Sequence, residues 1–133
     1  MDDLPKLGSA GLRALAQASG AVAQPCNCCS GAADAAGWIS LPLTLPEQQL
    51  ADVGTLVADP YDEPTFAEYH PDGTRYDGSA APVAPRYYPY NRCNVARCTL
   101  CGRHYLRYTE AGGYFVDRRI RALDRPELVV DAA

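Results

Sequence analysis

A small, loop-rich α+β fold is predicted by three features of the sequence. There is a single helical stretch near the N-terminus, a pair of CxxC spacings far apart in the chain, and an alternating C-terminal segment that reads as a β-hairpin. The 133 residues suffice for one domain, and 47% apolar with 21% charged residues is ordinary globular composition. Eleven prolines and eleven glycines exceed what a regular bundle or parallel sheet uses, so the elements are expected to be short and the turns long. Such a fold needs a staple, and six cysteines are available.

In chain order, Leu4, Leu7, Leu12, Leu15 and Ala16 recur at near-helical spacing, which predicts a short packing helix capped by Ser9 and ended by Gly20. Residues 1–25 form this helical segment. "WISLPLTL" (Trp38 to Leu45) reads as a strand that Pro42 confines to a sheet edge. "TLPEQQLADVG" carries Pro46 in a first turn and Gly54 at the end, and reads as a helix of one to two turns. Phe66 to Tyr69 and Thr74 to Tyr76 flank "HPDG" as a small hairpin, and Pro82, Pro85 and Pro89 extend the chain towards the later cysteines.

"HYLRYTE", "AGG" and "YFVDRRIRAL" give the main hairpin. A three-residue loop, Ala111 to Gly113, sets Tyr108 opposite Val116 and Arg107 opposite Asp117. That register puts Leu106, Tyr108, Tyr114, Val116 and Ile120 on one face. "PELVVD" reads as a final short strand.

"PCNCCSG" and "CTLCGR" carry the chemistry. Cys26 and Cys29 form one CxxC, Cys98 and Cys101 a second, with sixty-eight residues between Cys29 and Cys98. Each spacing wraps a turn that presents two sulfurs to one point about 2.3 Å away, and two such turns complete a tetrahedral shell. Gly31 and Gly102 follow the turns and let backbone amides approach the sulfurs. Cys28, Cys93 and His104 are alternates; a buried small apolar residue accounts for either cysteine, and an ordinary strand residue for the histidine. Cys93, Cys98 and Cys101 also spell C-x4-C-x2-C, the run of plant-type 2Fe–2S ferredoxins. Those proteins place a fourth cysteine downstream, and none follows Cys101, so zinc is favoured over an iron–sulfur cluster.

"CTLCGRHYLRYTEAGGYF", a cysteine turn feeding directly into a hairpin, resembles the second half of a zinc ribbon. The resemblance covers roughly Cys98 to Leu123 and implies a zinc-ribbon-like β-hairpin core with a structural Zn2+ in a closed shell of four cysteines. Its departure is the gap between knuckles, which exceeds the usual span of about 15–20 residues. The expected organisation is a single domain, 1–133, in which 26–31 is the first knuckle, 32–90 an insertion forming its own layer, and 91–133 the second knuckle and hairpin.

No stretch approaches eighteen apolar residues, so no membrane span is expected. The N-terminus opens on two aspartates, and Arg13, Gln17 and three glycines break its apolar run, so it does not read as a secretory signal. A cytoplasmic location is the expectation, where paired CxxC spacings favour metal over disulfides.

Net charge is −4, unevenly spread: nine carboxylates face one arginine between Ala32 and Pro85, and nine arginines face three carboxylates between Arg86 and Arg125. Either the two tracts neutralise each other in the fold or each meets its own partner. No Walker A loop, GxSxG elbow, HExxH or dinucleotide fingerprint is present. The leading expectation is a protein-interaction module, an adaptor, inhibitor or immunity-type factor, because arginine with tyrosine is what interfaces enrich. Nucleic-acid binding is the alternative, with Arg103, Arg107, Arg119, Tyr105 and Phe115 as the candidate surface; a pI near 5 and a single lysine weigh against it. A metal-dependent or redox enzyme comes third, with no residue assigned a catalytic role.

Overall fold

A computed structural model describes residues 4–23, 26, 29, 37–43, 45–58, 61, 64–70, 73, 81–112 and 115–131. Among these residues, one α-helix, α1 (Ser9–Gly20), packs on an antiparallel sheet of five strands. The strands are β1 (Ile39–Ser40), β2 (Leu50–Thr55), β3 (Asn94–Cys98), β4 (His104–Gly112) and β5 (Phe115–Ala122), in the spatial order β1-β5-β4-β3-β2.

The helix spans the expected residues, with Gly8 rather than Ser9 in the capping position. Its apolar stripe buries Leu12 and Ala16 against the sheet, and Arg13 donates two hydrogen bonds to the Val129 carbonyl (3.1 and 3.3 Å).

Among its described residues, the strands of the 32–90 segment join the hairpin's sheet and do not build a layer of their own. The segment supplies both edges of the hairpin's own sheet, β1 beside β5 and β2 beside β3. β1 is the expected edge strand, shortened to two residues and continued by a bond from the Leu41 amide to the Arg118 carbonyl (2.8 Å). The segment read as a second helix keeps only a 3-10 turn at Glu47–Gln49 and then becomes β2. Edge pairing with β3 overrides its helical start signals, because Leu50 is buried there opposite Cys98. β2 bulges between Asp52 and Gly54, and a side chain at Gly54 would collide with the Leu7 side chain and crowd the Pro5 carbonyl.

The main hairpin is present with a different register. Gly112 pairs with Phe115, Ala111 with Val116, Glu110 with Asp117 and Arg107 with Ile120. This is a three-residue slip from the expected pairing, and an odd slip exchanges the faces of β5 relative to β4. Ile120 therefore lies with Tyr105, not with Leu106, and Val116 is exposed. Of the small hairpin around "HPDG", Phe66 to Tyr69 is irregular, and Thr74 to Tyr76 lies outside the described residues. "PELVVD" forms a 3-10 turn at Pro126–Leu128 followed by a single bridge from Val129 to Val83, not a strand.

Both faces of the sheet carry core. The first holds Val95, Leu106, Tyr108 and Leu123 under α1, Trp38, Leu56, Tyr90 and Val129. The second holds Leu50, Ala96, Cys98, Tyr105 and Ile120 under Cys26, Cys29 and Leu45.

Candidate metal centre

The Sγ atoms of Cys26, Cys29, Cys98 and Cys101 all lie within 4.8 Å of one another. Cys26 is 3.8 Å from Cys98 and Cys29 is 3.5 Å from Cys101, both far beyond a disulfide bond. A tetrahedral ion with sulfur ligands at about 2.3 Å holds those sulfurs about 3.8 Å apart. The four cysteines thus form one cluster suited to a metal ion, drawn in pairs from the two CxxC turns.

Local structure explains the later turn. Cys98 ends β3 and Arg103 precedes β4. The chain reverses between them through bonds from the Gly102 amide to the Cys98 carbonyl (2.9 Å) and from the Cys98 amide to the Arg103 carbonyl (2.8 Å). Gly102 sits at φ +85°, a left-handed conformation that costs a side chain about 1–2 kcal/mol. The amides of Cys101 and Leu100 hydrogen-bond to the Cys98 sulfur and favour its thiolate.

Burial acts in the other direction. It pushes the Cys98 and Cys29 thiols up, the latter strongly, and neighbouring sulfurs add to the effect. Four thiolates this close repel one another, and a cation held among them would reverse the balance by supplying positive charge.

Two candidate binding-surface residues lie at this centre. Tyr105 is fully buried beneath the cluster and donates its hydroxyl to the Cys29 carbonyl (3.3 Å). Arg103 hydrogen-bonds to the Cys101 sulfur, which raises its own pKa, and donates to the Val22 carbonyl (3.3 Å), tying the end of α1 to the later knuckle. The sequence signal for Arg103 is its place two residues past the second cysteine of the later turn.

Two of the alternates, Cys93 and His104, lie apart from the cluster. Cys93 is buried on the opposite face among Val95, Leu106 and Tyr90, and its thiol is 3.3 Å from the Pro89 carbonyl, so the C-x4-C-x2-C run is divided between two faces. His104 begins β4 with its amide bonded to Ser19 Oγ (2.9 Å), and its ring is no member of the sulfur group. Cys28 and Gly31 lie outside the described residues.

The remaining candidate surface is heavily paired. Arg107 donates to Asp52 (3.0 Å), Arg119 reaches Asp117 (3.3 Å) and Glu110 (3.9 Å), and Arg118 pairs with Glu47. Arg92 lies over the Phe66 ring at 4.0 Å and donates to the Pro64 and Thr65 carbonyls, while buried Arg121 bonds to the Tyr90 hydroxyl and the Ala81 carbonyl. Phe115 begins β5, and nothing is described of its side chain. Asp52 and Glu47 come from the acidic tract, Arg107 and Arg118 from the basic one. The two tracts therefore meet in the fold.

Among the described residues, no helix is long and apolar enough to cross a membrane. No protein-family model, curated protein or solved structure matches the chain.

Proposed function

We propose that the chain is a protein-interaction module stapled by a structural zinc ion, working in the cytoplasm. The convergence of four sulfurs from two turns sixty-eight residues apart carries this reading. Four thiolates form a closed shell with no position left for water, which is the chemistry of a structural site. A mononuclear ion suits sulfurs this close; an iron–sulfur cluster spreads its ligands over several irons. The cysteine turn that leads from β3 into the β4–β5 hairpin, with a glycine of positive φ at its end, is the part of the molecule that resembles a zinc ribbon. Here the two strands contributed by 32–90 widen that ribbon to five strands.

The interaction role is supported by what the arginines do. Nucleic-acid binding draws its affinity from unpaired cationic groups that release counterions. In this chain Arg107, Arg118 and Arg119 are already matched to carboxylates, and Arg92 and Arg121 to carbonyls and aromatic rings. A mixed, largely neutralised surface with aromatic support suits a protein partner better than a polyphosphate.

Elemental analysis of the purified protein tests the staple. Zinc at one ion per chain is expected, with four further thiols becoming reactive when a chelator removes it. A brown, iron-loaded protein contradicts the zinc assignment. Affinity capture at moderate salt, with and without nuclease, tests the role. A captured protein that survives nuclease supports it, and retention that vanishes with nucleic acid or falls steeply with salt favours the nucleic-acid alternative.

A further inference from the structure

Solvent does not meet the four sulfurs equally. Cys26, Cys29 and Cys98 are buried, whereas Cys101 is partly exposed. The later turn explains the difference. Cys98 closes β3 inside the sheet, and the chain then swings outward through Thr99 and Leu100, both exposed, before Cys101 returns to the cluster. One knuckle thus seals its first sulfur and presents its second at the surface.

The neighbours of these two sulfurs differ as well. Cys98 accepts from the backbone amides of Leu100 and Cys101, fixed dipoles that engage its lone pairs. Cys101 has the Arg103 guanidinium beside it. A partly exposed sulfur next to an arginine is where oxidants and electrophiles react, and buried thiols without that access stay inert. A second sulfur stands close behind: Cys29 Sγ lies 3.5 Å from Cys101 Sγ, nearer than the 3.8 Å between Cys26 and Cys98. An accessible sulfur backed by a buried one is the arrangement that lets a first oxidation resolve into a disulfide.

We propose that Cys101 is an oxidative modification site through which hydrogen peroxide releases the zinc staple, with Cys29 as the resolving sulfur and Arg103 assisting the first step. The Cys101 thiolate attacks one peroxide oxygen. An S–O bond forms, the O–O bond breaks, and hydroxide departs beside the Arg103 guanidinium to take a proton from water. The Cys29 thiolate then attacks the sulfenic sulfur; the S–S bond forms and the S–O bond breaks, releasing a second hydroxide that is protonated in turn. Two thiolates give up two electrons, and one hydrogen peroxide becomes two waters. Cys26 and Cys98 remain, half of the shell that zinc requires, so the ion leaves. The proposal rests on the zinc-staple reading and adds its control: the metal that holds one face of the sheet is lost on oxidation.

The test mixes the zinc-loaded full chain with hydrogen peroxide, follows released ion with a chromophoric chelator and traps sulfenic acid with dimedone. Peptide mass spectrometry at low conversion should place the adduct on Cys101. Without dimedone, a disulfide should join Cys29 to Cys101, with zinc released in step with it, and dithiothreitol followed by zinc should restore the metal content. Arg103→Gln, loaded with zinc beforehand, should form the adduct about threefold or more slowly, because the leaving hydroxide loses its positive neighbour. An arginine that merely ties α1 to the knuckle would have the opposite effect, since its removal loosens the centre and speeds the reaction. No adduct, a first adduct on any other cysteine, a disulfide of different pairing, zinc retained once Cys101 is modified, or an equal or faster rate in the variant overturns the proposal. Failure of the parent reading is distinct: zinc is then missing from the purified protein before any oxidant is added.

Discussion

The two faces of one sheet are built on different principles. Under α1 the core is aliphatic and aromatic: Leu12, Leu56, Val95, Leu106 and Leu123 surround Trp38, whose ring meets Tyr108 edge-on at 5.0 Å and Tyr90 at 5.8 Å. Contacts of this kind hold themselves together by area removed from water. The opposite core has four cysteines among its buried and partly buried members and, among the described residues, Leu45, Leu50, Tyr105 and Ile120 as its large buried side chains. Thiols packed at that density offer little hydrophobic stabilisation and much mutual repulsion once ionised. The first face is therefore held by packing, and on the reading proposed above the second is held by a cation among its four sulfurs.

The largest expected effect separates the two faces directly. Replacing Cys98 or Cys29 by serine removes a sulfur from a closed shell whose binding energy is also folding energy, a loss on the order of several kcal/mol. The melting temperature should collapse or cooperative unfolding disappear, and chelator should do the same to the wild type. A serine variant that melts like the wild type removes the distinction between the faces altogether. Next in size is Leu106→Ala, which cuts a cavity into the apolar face; a loss of about 2–5 kcal/mol is expected, with metal stoichiometry unchanged in the protein that remains folded. Loss of metal in that variant means that the faces are not independent.

A smaller effect falls on the turn between them. Gly102→Ala places a side chain at φ +85° and should destabilise the fold by about 1–2 kcal/mol. Because the strain sits in the loop that aims Cys98 and Cys101, a competition titration with a chromophoric chelator should show weakened metal affinity. Unchanged affinity locates the strain outside the ligand geometry.

The uneven legibility of the sequence follows the same division. Both CxxC turns and α1 are visible because each rests on local chemistry: a fixed cysteine spacing with its glycine, and a 3.6-residue stripe that includes Leu12 and Ala16. The hairpin register is not, because alternation identifies a face only when one face is wet. Here Tyr105 and Leu106 are consecutive and both fully buried, so each side of β4 looks like core and no single pattern fixes the pairing. β2 hides behind "PEQQ", a helix start, and shows itself only through its partner, Cys98. β3 is five residues with Asn, Ala and Arg at three of them, too short and too polar to signal a strand without its neighbours. Tyr105 reads as a surface aromatic in the sequence because its burial comes from the early knuckle, seventy-six positions away in the chain.

The smallest expected effect concerns the open half of the second face, where charge takes the place of sulfur. Arg107 and Asp52 are partly exposed, with 23% and 31% of their side chains accessible, so solvent screens their attraction. Arg107→Gln should therefore cost no more than about 1 kcal/mol in thermal unfolding. Raising the salt concentration should shrink even that difference, since the pair stands where counterions reach it. The mutation leaves Asp52 with Asn94 as a hydrogen-bond partner, which limits the penalty of an unmatched carboxylate. A loss comparable to Leu106→Ala would mean that the ion pair, and not the sulfur centre alone, holds β2 onto the sheet. The Arg107–Asp52 pair would then be a structural seam between β2 and β4.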